Sequence, residues 1–216
     1  MVSAHPSDDV LMEYASGALG DGMSLLVASH LTFCPQCRRV IEADEAIGGA
    51  LLSADTPEAD APAFDAVLSR LDMAEAEPDP APVSDPKSPL PRPLSSAIGA
   101  SFTDIRWRLR WPGLSEHVIS ETRVGDGKAV RVSLLKAKPG LKIPEHTHEG
   151  DEATLILCGA MEDGGVVYRT GDVAQSDAQH DHQPKILNEG VCICLIVLTG
   201  GLRFTGTFGP ALNLFG

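Results

Sequence analysis

Two histidines and two cysteines near the amino terminus have the residue types and spacing of a metal site. Their central part reads His30-x3-Cys34-x2-Cys37, and His5 lies upstream. Two thiolates and two imidazoles form a ligand set that Zn2+ takes in closed, tetrahedral structural sites. If Pro35 opens a helix, the positive end of the helix dipole favours the thiolate form of the cysteines. The alternatives are a redox pair or two unrelated core cysteines, with His5 in a frayed terminus.

A second group of potential ligands lies in the middle of the chain. It reads His146-x-His148-x3-Glu152. Residues i and i+2 of a strand point to the same face, so both histidines would lie on one face of a strand and, in a barrel, could both point into its interior. Further on, Gly171-Asp172 turns into another strand, and His182 lies ten residues past Asp172. The alternative is a loop with polar histidines and a free carboxylate.

The composition limits the classes of protein to which the chain can belong. It has 216 residues, of which 43% are hydrophobic, and this length corresponds to one or two domains. The longest apolar run, residues 191–198, is less than half of the roughly 20 residues that a membrane-spanning helix needs. The first ten residues are polar, so we expect a cytoplasmic protein whose five cysteines are free or bind metal.

The negative charge is concentrated in the first half of the chain. Residues 1–95 contain 16 acidic and 5 basic side chains, a net charge of −11, whereas residues 96–216 contain 14 and 12, a net charge of −2. This balance argues against direct binding of DNA or RNA, because Lys and Arg contacts to phosphate supply most of that affinity. It suits a basic protein partner, although it could also serve solubility alone.

Four short helices are predicted in the first 75 residues, at about 8–18, 21–30, 35–53 and 64–71. Ser7 can cap the first helix and Gly20 can end it. Pro35 suits the first turn of the third helix. The fourth is indicated by an apolar stripe at i, i+3, i+4 and i+7 over 64–71. Such a small core would benefit from a structural metal.

A run with seven prolines between residues 75 and 93 divides the chain. Such a run behaves as an extended spacer and forms neither a helix nor a central strand. We therefore predict a helical domain at 1–75, a linker at 76–95 and a second domain at 96–216.

The second domain is predicted to consist of strands. Over residues 105–111 apolar side chains alternate with Arg106, Arg108 and Arg110, which indicates a strand with one buried and one charged face. Further strands are predicted at about 118–124, 130–137, 153–157, 166–168 and 191–198. Many short strands with Gly and Pro turns indicate a sandwich or barrel. The predicted fold class is α+β multidomain: a four-helix metal-binding domain and an all-β domain.

The histidine and cysteine motif near the amino terminus resembles the zinc-binding anti-sigma domain. This resemblance covers about the first 75 residues. It implies that the domain inserts between the two folded regions of an extracytoplasmic-function-type sigma factor and blocks their access to RNA polymerase core.

From about residue 98 to 205 the chain resembles a metal-binding cupin, a small double-stranded β-barrel. The two cupin motifs match two segments of this chain: the one from His146 to Glu152 and the one from Gly171 to His182. The resemblance implies four metal ligands: His146, His148, Glu152 and His182. His180 is an alternative candidate for the position of His182. Three His and one Glu suit Zn, Fe, Mn or Ni.

An anti-sigma domain joined to a cupin resembles the ChrR family of transcriptional negative regulators over nearly the whole chain. The resemblance implies a non-enzymatic anti-sigma factor in a 1:1 complex with its sigma factor. From the charge balance and the short apolar runs we expect no direct contact to nucleic acid and no membrane span. The cupin would release the sigma factor on an oxidative signal such as singlet oxygen. A competing hypothesis is a cupin dioxygenase or isomerase with an accessory zinc domain, and a zinc-storage module is a third.

Three further cysteines lie in the second domain. Cys192 and Cys194 are at i and i+2 on an apolar strand, so they should face the same side, and buried packing is the usual state of a free cysteine. The alternative is an oxidisable sensor. Cys158 is expected in the core.

Overall fold

The described part of the chain begins with helices and continues as strands, in the predicted order. The computed structural model describes residues 2–54, 65–66, 68–70, 88, 90–123, 125, 127–179, 181–206, 209 and 213. The helices are α1 (Asp8–Ala15), α2 (Asp21–Leu31), α3 (Pro35–Ala54) and α4 (Arg92–Ile98). The strands are β1 (Arg108–Trp111), β2 (Leu114–Arg123), β3 (Ala129–Ala137), β4 (His146–His148), β5 (Glu152–Cys158), β6 (Ala160–Asp163), β7 (Val166–Arg169), β8 (Val173–Ser176), β9 (Lys185–Ile186), β10 (Cys192–Thr199) and β11 (Leu202–Phe204).

The strands form one large sheet and two small ones. The large sheet has the order β1-β2-β3-β10-β5-β8, with antiparallel pairing throughout. β4 pairs with β11, and β6 lies between β7 and β9. Met161 of β6 and Ile186 of β9 pack in one core with Ile156 and Cys194 of the large sheet. The sheet of β6, β7 and β9 therefore covers one face of the large sheet, and Phe204 of β11 packs against Trp111 of β1, with ring centroids 5.8 Å apart. Together the strands enclose the interior of a barrel.

The central strands β5 and β10 are apolar on both sides because both faces of the large sheet are buried. Leu155 and Leu195 belong to a core shared with the helices, whereas their neighbours Ile156 and Cys194 point into the barrel. Strands that are buried on both faces are continuously apolar rather than alternating. This explains the uninterrupted apolar run at 191–198.

Helices α2 and α4 cover the outer face of the large sheet. Leu26 of α2 and Leu94 of α4 are fully buried in the same core as Val132 and Leu195. Gly22 permits the close approach of α2, because a Cβ atom there would lie 2.7 Å from Cγ2 of Val132. The helical part thus packs directly on the barrel.

The first helix is shorter than predicted. It ends at Ala15, and Gly17 adopts the left-handed conformation with φ of 72°. The N–H of Ala18 donates to the carbonyl of Glu13 at 2.9 Å, which is a helix-ending pattern that favours glycine. Gly17 rather than Gly20 therefore ends the helix.

The alternating segment at 105–111 is a strand only over β1, and its predicted burial is wrong at Leu109. This side chain is 72% exposed. The pairing with β2 shifts register between Leu109 and Trp111, and such a bulge interrupts the two-residue alternation. Ile105 is buried as predicted, although it precedes the strand.

Helix α4 begins inside the segment predicted as a linker. Pro91 is its N-cap and Pro93 lies in its first turn, where a proline is tolerated because the first N–H groups of a helix have no intrahelical partner. Of the predicted fourth helix, residues 65–66 and 68–70 are helical, while Phe64, Val67 and Leu71 lie outside the described residues. The division at 1–75, 76–95 and 96–216 stays a prediction.

We expect Leu94→Ala to lower the free energy of unfolding by about 2–5 kcal/mol, because it leaves a cavity between α4 and the sheet. Leu109→Ala removes the same atoms from an exposed site and should change it by less than about 0.5 kcal/mol. Urea denaturation of the two variants measures the difference. Equal losses would contradict the packing of α4 on the barrel.

Candidate metal centres

The structure brings together the four predicted ligands of the helical part. His5 Nδ1 lies 3.4 Å from both Cys34 Sγ and Cys37 Sγ, and His30 Nε2 lies 3.3 Å from Cys37 Sγ. All four ligand atoms lie within 4.8 Å of one another. Zn–S bonds of about 2.3 Å and Zn–N bonds of about 2.0 Å at a tetrahedral angle separate sulfur from nitrogen by about 3.5 Å. The separations therefore fit one shared ion.

Three short elements position this helical cluster. His30 lies near the end of α2, Cys34 immediately precedes Pro35 at the start of α3, and His5 lies in the segment before α1. The N–H of Cys37 donates to Cys34 Sγ at 3.4 Å, so the sulfur caps the first turn of α3. The cluster therefore lies at the corner where α2 ends and α3 begins.

Burial controls the protonation of the helical cluster. It lowers the pKa of His30, which therefore stays neutral and able to bind a metal. Burial and the adjacent Cys34 raise the pKa of the Cys37 thiol to about 12. A cation would therefore be needed to hold Cys37 as a thiolate at neutral pH.

The four ligands implied for the barrel also come together. Glu152 Oε2 lies 3.1 Å from His148 Nε2, which lies 3.4 Å from His182 Nε2. The rings of His146 and His182 have centroids 4.3 Å apart. His146 and His148 point to the same side of β4 and are buried, as the i and i+2 spacing predicts. The competing His180 lies outside the described residues.

Hydrogen bonds orient two of the barrel histidines from behind. His146 Nδ1 lies 2.7 Å from the carbonyl oxygen of Pro144, and His182 Nδ1 lies 2.6 Å from Asp163 Oδ2. Each imidazole then donates through Nδ1 and leaves Nε2 facing the centre of the group, which is the usual arrangement around a bound metal. Asp163 was not predicted, because it lies 19 residues before His182 and no local motif marks it.

The charges of His146 and Glu152 also suit a cation, whereas at His182 burial is outweighed by the hydrogen bond and charge of Asp163, which raise the pKa of this histidine. Burial lowers the pKa of His146 against the effect of its bond to Pro144. Burial alone would raise the pKa of Glu152, but the hydrogen bond to His148 and the neighbouring imidazoles hold it below its usual value. A neutral imidazole and an ionised carboxylate are the forms that bind metal.

The two cysteines of β10 are packed in the barrel core. Cys192 is 1% and Cys194 is 7% exposed. Burial raises the pKa of Cys192 to about 12 and that of Cys194 far above its usual value. Such thiols are protonated at neutral pH and react slowly. Cys158, at the end of β5, is half-buried and packs against the core on the outer face.

The fold and the two clusters define a class of protein: a helical unit with a Cys2His2 cluster, packed on a cupin-like barrel that carries a second, His3Glu cluster. The ChrR cupin-like domain family matches residues 95–200. Anti-sigma-E factor ChrR of Cereibacter sphaeroides is 35% identical over 210 residues, which are 96% of this chain and 94% of that protein. The chain therefore belongs to the ChrR family.

A solved structure agrees with this assignment. It is the crystal structure of Rhodobacter sphaeroides SigE in complex with the anti-sigma ChrR, with a TM-score of 0.76 and 31% identity. The match covers 92% of this chain and 100% of the matched chain. The predicted family and the α+β fold class, helices followed by a cupin, are confirmed. No helix in the described ranges has both the length and the apolar character to cross a membrane.

We expect Asp163→Ala to weaken metal binding in the barrel by about 10- to 100-fold, because it removes the acceptor that orients His182. Asp181→Ala is the matched control, since it removes an exposed carboxylate next to the same histidine. Competition with a chromophoric chelator measures the affinity. Unchanged affinity in Asp163→Ala would contradict an orienting role.

Proposed function

We propose that this chain is an anti-sigma factor. It binds an extracytoplasmic-function-type sigma factor in a 1:1 complex, keeps it from RNA polymerase core, and releases it on a signal sensed through the barrel. One observation carries the proposal: nearly the whole chain matches ChrR as it occurs in a complex with SigE. The similarity includes both the helical part and the barrel, since it covers 92% of the chain.

An exposed apolar stripe on α3 offers a surface for the sigma factor. Val40, Ile47 and Leu51 recur at i, i+7 and i+11, so they lie along one side of the helix. Their exposed fractions are 36%, 62% and 70%, and Leu52 beside them is 76% exposed. Contiguous exposed apolar residues mark protein interaction sites. The buried side chains of α3 are Cys37 and Ile41, both in its first half.

The charge of the helical half fits the same partner. Residues 1–95 carry a net charge of −11, and a sigma factor presents basic surfaces because it contacts DNA. Complementary charge raises the rate of association and disfavours wrong partners. The apolar stripe would supply most of the affinity, since exposed charge pairs contribute little.

The helical cluster is proposed to hold a structural Zn2+. Its ligands are His5, His30, Cys34 and Cys37, and a Cys2His2 set favours zinc in a closed site. The ion would fix the corner between α2 and α3, and so the direction of α3. Its role is therefore structural support of the sigma-binding surface.

The barrel cluster is proposed to be the sensor. His146, His148, Glu152 and His182 would hold a divalent ion, with Zn2+ preferred and Fe, Mn or Ni also suited to this ligand set. An oxidative signal such as singlet oxygen would modify the ligand shell and lower the affinity for the sigma factor, whereas the buried, protonated thiols of Cys192 and Cys194 are less suited to that role. An enzyme with this barrel is not favoured, because the family resemblance covers the helical part as well.

We expect Leu51→Glu to weaken binding of the sigma factor by roughly 10-fold or more, because a charge would be buried in an apolar contact. Leu109→Glu places the same charge at an exposed leucine of the barrel and should have no effect. Both are compared in calorimetric titrations with the sigma factor that co-purifies from the native host. If neither the wild type nor the variants retain a sigma factor, the proposed function fails.

The proposed sensor role separates inhibition from release. His146→Ala and Glu152→Ala should leave sigma inhibition intact and abolish induction by a photosensitiser that produces singlet oxygen. His117→Ala, at a histidine outside both clusters, should respond like the wild type. A reporter under the control of the sigma factor measures both properties. Constitutive reporter activity in His146→Ala would count against a separate sensor.

A further inference from the structure

The turn between β7 and β8 reaches from the barrel to the segment that carries His5. Asp172 in this turn is 2% exposed. Its Oδ1 accepts the N–H of Ser3 at 2.6 Å and the N–H of Ala4 at 3.0 Å, while Oδ2 accepts the N–H of Arg169 at 2.8 Å. One buried carboxylate therefore joins the amino-terminal segment to the barrel.

The same segment also bonds to the barrel through its backbone. The N–H of Val173 donates to the carbonyl of Ala4 at 3.0 Å. His5 is the next residue, and its Nδ1 faces the two cysteine sulfurs. His5 lies before α1, so no helix holds it in place. Its imidazole is positioned by the bonds that the preceding residues Ser3 and Ala4 make to the barrel.

The residue before Asp172 contacts the helical cluster from another side. The carbonyl oxygen of Gly171 lies 2.8 Å from His30 Nδ1. With Nδ1 donating to this carbonyl, Nε2 is left free to face Cys37 Sγ. A neutral imidazole that binds metal through one nitrogen commonly donates its other N–H to a carbonyl or carboxylate.

Only glycine fits at this position of the turn. Gly171 has a φ of 94°, and a Cβ atom there would lie 2.7 Å from Cγ2 of Val2 and 2.9 Å from Cβ of Phe33. Phe33 directly precedes Cys34, so the turn also touches the chain beside a third ligand. Three of the four ligand segments therefore pack on two residues of the barrel.

We propose that the Gly171-Asp172 turn is a positioning element of the helical metal site, so that metal binding there and docking of the barrel stabilise each other. The inference rests on the proposed metal role of the helical cluster. It adds that some of the groups that orient the proposed ligands belong to the barrel, namely the carbonyl of Gly171 and the carboxylate of Asp172. Since such linkage is reciprocal, loss of the turn contacts weakens metal binding, and loss of the metal loosens the turn.

Cobalt distinguishes the helical cluster from the barrel cluster, because only the helical one contains cysteines. Co2+ bound there gives thiolate-to-metal charge-transfer absorption, whose titration against a competing chelator measures affinity. Asp172→Ala should lower this affinity by about 10- to 100-fold. Asp172→Asn retains one acceptor oxygen and should lose less. Asp163→Ala, which removes the carboxylate behind His182 in the other cluster, should keep the wild-type value.

The outcomes separate the inference from the proposed function. Wild-type affinity in a folded Asp172→Ala variant overturns the positioning role and leaves the metal site in place. Absence of charge-transfer absorption in the wild-type protein overturns both the positioning role and the proposed metal site of the helical cluster.

Hydrogen exchange tests the reciprocal effect without any substitution. Removing the metal from the full chain with a chelator should speed the exchange of the Val173 amide, which donates to Ala4. Amides between β3 and β10 serve as the internal control, because their partners lie within the large sheet. Equal protection of Val173 with and without metal would overturn the linkage.

Discussion

Burial of two clusters of histidine, cysteine and glutamate side chains is the constraint on which much of this structure depends. His30, Cys34 and Cys37 are at most 2% exposed, and His146 and His148 are 3% exposed. Polar groups removed from water need compensating partners, and a shared cation satisfies several at once. The surrounding elements are arranged to bring such groups together: a helix corner in one case, and in the other a bridge between β4 and the chain before β9.

The sequence was most informative where spacing along the chain determines geometry. The pair His146 and His148 shares one face because side chains of a strand repeat every two residues, and Cys34 and Cys37 meet within one helical turn. Predictions weakened where contacts are distant. The carbonyl of Gly171 that orients His30 lies 141 residues away, and no local pattern marks such a partner.

Docking of the two parts was also hidden from the sequence. A run of prolines predicts separate domains joined by a spacer, yet Leu26 and Leu94 share a core with the outer face of the large sheet. The apolar run at 191–198 is consistent with a strand buried on both sides, but it does not say what covers the second face. Gly22 allows α2 to cover it, and a glycine near the start of a helix carries no such signal.

The helical cluster lies at the start of α3, so a movement there would be amplified at the proposed sigma-binding surface on the far end of this helix. Helix α3 is anchored by its first two turns, where Cys37 and Ile41 are buried, and its second half is exposed. From Cys37 to Leu51 the helix rises by about 21 Å. A tilt of roughly 10° at the anchored end would therefore move Leu51 by roughly 4 Å. Because apolar interfaces depend on close packing, a small change in ligand geometry at the base of α3 is sufficient to disrupt contacts at its far end. Of the residues that orient this base, Gly171 and Asp172 belong to the barrel, and β8, which follows them, pairs with β5 at Glu152.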